Sequence, residues 1–129
     1  MDRSRMMSAA LLVALALGLM GCAPGGVAIE PAVMRCDNGP RALTLRLPDG
    51  VTRIGLQIRS GDRNGAVIQD STTTVEDLAQ YRRPDGSYFI SSQGGSTWEC
   101  EQPAGPYLVV VTDAASGGVI ATAPFTIAR

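Results

Sequence analysis

Pro106-Tyr107-Leu108-Val109-Val110-Val111-Thr112 runs into Asp113-Ala114-Ala115-Ser116-Gly117-Gly118 and then into Val119-Ile120-Ala121-Thr122-Ala123-Pro124-Phe125-Thr126-Ile127. Two runs rich in β-branched and aromatic residues flank a segment of turn-forming residues, so the stretch predicts a long antiparallel hairpin. Tyr107, Val109 and Val111 alternate along the first arm, Phe125 and Ile127 along the second, as half-buried strands require. Proline has no N–H for a ladder, so Pro124 fits only at an edge or a bulge.

The same grammar extends upstream. Leu43, Leu45 and Leu47 alternate with Thr44 and Arg46, and Pro48-Asp49-Gly50 turns the chain. Ile54, Leu56 and Ile58 alternate with Arg53, Gly55, Gln57 and Arg59; Ser60-Gly61-Asp62-Arg63-Asn64-Gly65 turns again, before a short strand from Ala66 to Gln69. Thr74, with Glu76 and Asp77 behind it, suits the start of one helical turn through Leu78 and Tyr81, because an oxygen and early acids favour free N–H groups. Residues 87–92 and 97–102 predict a second hairpin around Gln93-Gly94-Gly95-Ser96, with Trp98 and Cys100 on one face and Glu99 and Glu101 on the other. Turn signals about every ten residues predict an all-β domain over 34–129: a single compact antiparallel β-sandwich or barrel of about seven strands.

The N-terminal residues carry a different signal. Arg3 and Arg5 outweigh Asp2, and the stretch from Met6 to Met20 holds no charge. A positive start, an apolar run and a small residue at its end form a signal-peptide pattern over 1–21. The run is shorter than the roughly 20 apolar residues of a membrane-spanning helix. Leu19-Met20-Gly21-Cys22 resembles the lipobox of bacterial lipoproteins. That resemblance implies cleavage before Cys22 and its diacylation (palmitate among the chains), so that the membrane is a partner through the N-terminal lipid. Ala23, where retained lipoproteins carry aspartate, implies an outer-membrane lipoprotein facing the periplasm. The stretch 22–33, with its glycine, alanine and proline, predicts a flexible tether.

Composition restricts the chemistry. The chain has 11 basic and 12 acidic residues and no histidine; removing Arg3, Arg5 and Asp2 leaves nine and eleven, a net charge of −2. That balance points away from nucleic acid, which is bound by dense positive charge. All the basic residues are arginine. Without histidine or lysine there is no Ser-His-Asp or Cys-His pair, no histidine metal ligand, no Schiff base and no P-loop lysine. The expectation is therefore a protein that is no enzyme and has no catalytic residue, metal or cofactor.

Cys36 and Cys100 remain once Cys22 is lipidated, and an even count in an oxidising compartment predicts a disulfide, with two free thiols as the alternative. The bridge would close a long loop, worth about 4 kcal/mol on the chain-entropy view. Arg46, Arg53 and Arg59 fall on the outward faces of two strands that neighbour each other in this reading: a basic patch for a partner, or an ordinary solvated face that discourages edge pairing. Glu99 and Glu101 point the same way and, in a cleft, would suit a carboxylate-dependent hydrolase, though nothing nearby in sequence builds one. Trp98 is expected in the core.

Two resemblances bear on the fold. Tyr107-x-Val109-x-Val111-Thr112-Asp113, then Gly118, then Phe125-x-Ile127, resembles the closing hairpin of bacterial immunoglobulin-like sandwiches, although Trp98 lies just before the second cysteine instead of soon after the first. Cys36-Asp37-Asn38-Gly39 followed by an alternating strand, then Ala79-x-Tyr81, Asp85-Gly86, Phe89 and Gly94, resembles the membrane-bound inhibitors of c-type lysozyme, which are small β-barrel lipoproteins. In that family a Ser-Gly pair precedes the tyrosine and a lysine precedes the glycine; here Glu76-Asp77-Leu78 and Gln93 stand there instead. Tyr81 joins Arg46, Arg53 and Arg59 as a candidate partner-binding residue. The function expected is a lipid-anchored, non-catalytic binding or accessory module of the cell envelope that contacts another envelope protein or a glycan, with a lysozyme inhibitor as the alternative.

Overall fold

The computed structural model describes residues 25–36, 39–92 and 98–129. The expected signal peptide, Cys22 and the turn expected at Gln93-Gly94-Gly95-Ser96 lie outside these residues. The described chain is all-β, in two separate sheets that do not close into a barrel. Its strands are β1 (Gly26–Glu30), β2 (Val33–Arg35), β3 (Arg41–Arg46), β4 (Arg53–Ser60), β5 (Val67–Thr74), β6 (Tyr88–Ser92), β7 (Gly105–Asp113) and β8 (Val119–Ala128). A 3₁₀ helix, Glu76–Tyr81, joins β5 to β6, and one helical turn, α1 (Trp98–Glu101), precedes β7.

The small sheet has the order β1-β3-β6 and the large sheet β2-β8-β7-β4-β5. The first strand is split between them. Pro31 ends the β1 ladder because it has no N–H to offer, and β2 then runs parallel to β8, Val33 opposite Thr126 and Arg35 opposite Ala128. The other pairings are antiparallel. The first strand is thus shared between the sheets, and the last two, hairpin-linked strands lie beside the fourth. At the start of β7 the Tyr107 hydroxyl donates back to the Pro103 carbonyl and ties the strand to the segment before it.

The core forms between inward faces set by alternation. Leu45 lies opposite Tyr88 in the small sheet, while Ile58 with Val109 and Leu56 with Val111 line the large one. Leu45, Ile54, Val111 and Ile127 are fully buried. Tyr107 stacks on Phe125 at 5.5 Å between ring centroids, and the edge of Trp98 meets Tyr107 at 6.4 Å. Cys36 is bonded to Cys100 across 64 residues, with their Cα atoms 4.9 Å apart. The bridge ties the end of β2 to α1.

Five expectations are corrected. Residues 26–30 and Val33, inside the stretch 22–33 read as tether, belong to strands β1 and β2, so the domain begins before residue 34. The β2–β8 pair is parallel, in a sandwich expected to be antiparallel throughout. Two open sheets replace the barrel that a lysozyme-inhibitor relation implied. Residues 98–101 form helix α1, not a strand, and β6 pairs with β3 instead. The short strand at 66–69 runs on to Thr74, because Thr72-Thr73-Thr74 are β-branched and suit an extended ladder.

Candidate functional site

The two sheets differ in width, and that difference makes a cleft. β5 has no counterpart in the three-stranded sheet, so β4 and β5 extend past the edge strand β6. At one end the gap is closed by the 3₁₀ helix, whose Leu78 is buried and packs with Val75 into the core. Thr74 starts this turn as its chemistry suggests, its hydroxyl accepting from the Asp77 N–H at 3.1 Å. At the other end the gap stays open as a cleft of about 280 Å³.

The floor of the cleft is aliphatic: Ile29, Leu43, Leu56, Ile58, Ile90 and Val109. Its rim is polar, carrying Gln69 and Ser71 from β5, Ser91 from β6 and Arg41 from β3. Alternation explains both. Gln69 and Ser71 sit opposite Ile58 and Leu56 on the same side of the large sheet, and lie beyond the cover of the small one. The volume is at the small end of the roughly 300–1,000 Å³ of ligand pockets, so it suits a short aliphatic group, not a large ring system.

Arg41 anchors the rim. Its Nε donates to Glu99 Oε2 at 3.1 Å, Nη1 to the Gly39 carbonyl at 2.6 Å and Nη2 to the Arg35 carbonyl at 3.0 Å. The Glu99 side chain is 5 % exposed and that of Arg41 14 %. Glu99 therefore faces inward, opposite to its sequence assignment, while Glu101 is exposed. The two acids do not form a pair. One Glu99 oxygen, Oε1, is buried without a hydrogen-bond partner among the described residues. Arg129 donates to the Glu99 carbonyl at 2.9 Å and to that of Gln102, tying α1 to the end of β8.

The arginines expected to share a face are separated. Arg46 is in the small sheet and Arg53 and Arg59 are in the large one. Arg46 bonds Asp85 at 3.0 Å, both side chains about half exposed. Asp85 Oδ1 accepts from the Ser87 hydroxyl at 2.6 Å and from the Ser87 N–H at 2.9 Å. These bonds, the hydroxyl first and the Arg46 charge after the N–H, hold the Asp85 carboxyl below its usual 3.8. Arg59 is spent on Gln57 Oε1 at 3.0 Å and the Gly65 carbonyl at 3.0 Å. Arg53 is exposed, and Tyr81 is 38 % exposed at the end of the 3₁₀ helix. No basic patch results. Trp98 packs against the core as expected. The cleft residues had no signal as a group, since the five strands that supply its floor are spread from Ile29 to Val109.

No family model matches the chain, and no curated protein matches it. Among solved structures, the alkylpurine DNA glycosylase AlkC of Pseudomonas fluorescens, bound to DNA containing an abasic site analog, is similar at a TM-score of 0.45 and 12 % identity. The match covers 83 % of this chain and 31 % of that one, so the chain spans about a third of that protein's length. A DNA-bound enzyme stands against three expectations, and they are withdrawn: the non-catalytic envelope module with its inhibitor alternative, the absence of enzymatic activity, and the absence of a nucleic-acid partner. At this TM-score and identity the similarity assigns neither the activity nor the ligand of that protein to this chain.

Proposed function

We propose that the domain binds a ligand by taking a short aliphatic group into the cleft between its sheets. The observation that carries this is the composition of the cleft: an aliphatic floor from five strands, left uncovered and ringed by polar groups that fix orientation. A six-carbon chain buried there gains about 0.8 kcal/mol per methylene, which corresponds to a Kd on the order of 1 mM for an unadorned aliphatic probe. Calorimetric titration with 1-hexanol is expected to show saturable one-to-one binding. Ser71→Phe, a change at an exposed rim position, should fill the mouth and weaken binding at least about tenfold. A signal that never saturates, or that Ser71→Phe leaves unchanged, counts against the cleft as the site.

We also propose that Cys22 is lipidated and holds the domain at the outer membrane, on the strength of Leu19-Met20-Gly21-Cys22 behind an uncharged run. Palmitate labelling that is lost in Cys22→Ala is the expected result. Labelling that persists in the variant excludes that site.

A further inference from the structure

The mouth of the cleft lies between two strand edges, and one of them is open. β5 ends the large sheet, and among the described residues no strand pairs with its outer side. Gln69, Asp70, Ser71 and Thr72 are all exposed. The ladder to β4 shifts register between Ile58 and Arg59, and beyond that bulge it is regular from Gln69 to Thr74. The edge of β6 is shorter, because Arg82 bridges to Tyr88 at its start. An open edge presents a row of N–H and C=O groups at strand spacing, which specifies an extended backbone as its occupant.

We propose that the β5 edge receives an extended peptide segment as an added strand, whose inward side chains enter the cleft. The proposal rests on the cleft being a ligand site and names the class of ligand. Cross-strand neighbours share a face, so the peptide residues opposite Gln69 and Ser71 point inward, over Leu56, Ile58 and Ile90. They are two apart and aliphatic. The residue between them lies opposite Asp70 on the outer face. Asp70 has no ion-pair partner among the described residues, and it is the one charged residue of β5. A basic residue complements it. The ligand is thus an aliphatic–basic–aliphatic strand. A second copy of this chain fits poorly, because β5 would bring its own Gln69, Ser71 and Thr73 over an aliphatic floor.

The test uses the purified chain and the peptide acetyl-Ser-Thr-Val-Lys-Val-Thr-Ser-amide, read by amide hydrogen exchange. Saturable protection of amides within 69–72 is expected. Replacing both valines by serine should weaken binding at least about tenfold. Asp70→Lys should weaken the lysine peptide about fivefold and favour the glutamate version by a similar factor. If hexanol saturates the cleft while the peptide leaves the β5 amides unprotected, strand addition is overturned and the cleft reading stands. If neither binds, both fall. Concentration-dependent protection of β5 without peptide overturns the proposal in favour of self-association.

Discussion

Single residues decide how firmly the cleft rim is held. Glu99 and Arg41 form a largely buried ion pair, and removing one partner leaves the other charge without compensation. Glu99→Ala is expected to cost about 3 kcal/mol in urea unfolding, at the lower end for buried pairs because backbone carbonyls of Arg35, Gly39 and Pro40 still accept from Arg41. The double variant Arg41→Met, Glu99→Leu should recover part of that loss, and a double loss equal to the sum of the singles would deny the coupling. Glu99 was misread from sequence because alternation was applied to 97–102. A helical turn rotates successive side chains by about 100°, which brings Glu99 inward. Asp85 was legible only as a turn residue. Its lowered pKa stabilises the fold fully above its unfolded value near 3.8, and that contribution is lost as pH falls through the lower folded value. An NMR titration should place the Asp85 midpoint below 3.8, and Ser87→Ala should move it upward. An unmoved midpoint would mean that the Ser87 hydroxyl contributes nothing.

Among the elements, apolar runs bounded by clear turn signals were the readable ones. β4, β7 and β8 appear within about two residues of their sequence bounds, because β-branched and aromatic runs between turn segments suit extended ladders. Pro124 conforms as well, since β2 covers β8 only from Thr126 onward and leaves the proline on an uncovered stretch. What the sequence could not distinguish was a hairpin from a crossing. Pro48-Asp49-Gly50 reads as a tight turn between neighbours, but Leu47 and Val51 pack into the core and the connection passes from one sheet to the other. β1 was hidden for a different reason, as its glycine and alanine dilute the apolar pattern that β3 completes. The 3₁₀ helix has a clear task, closing one end of the gap through Leu78. Leu78→Ala should cost about 2–4 kcal/mol and lengthen the cleft. A Tm unchanged from wild type would show that the helix is not the plug described.

For the molecule as a whole, the all-β class and the disulfide followed from turn spacing and cysteine count, whereas the site did not. The cleft exists because the sheets are unequal, three strands against five, and strand count per sheet is a property of topology that no local pattern records. Its floor draws Ile29, Leu43, Leu56, Ile90 and Val109 from five different strands. Composition said nothing of this cleft, since the absence of histidine and lysine narrows chemistry without locating a surface. The measurement that bears most directly on the account is a methyl NMR titration of the domain with 1-hexanol. Saturable shifts confined to the methyls of Leu43, Leu56, Ile58, Ile90 and Val109, sharing one Kd and lost in Ser71→Phe, are predicted. Shifts spread over the surface without saturation, or centred on residues outside the cleft, would contradict it.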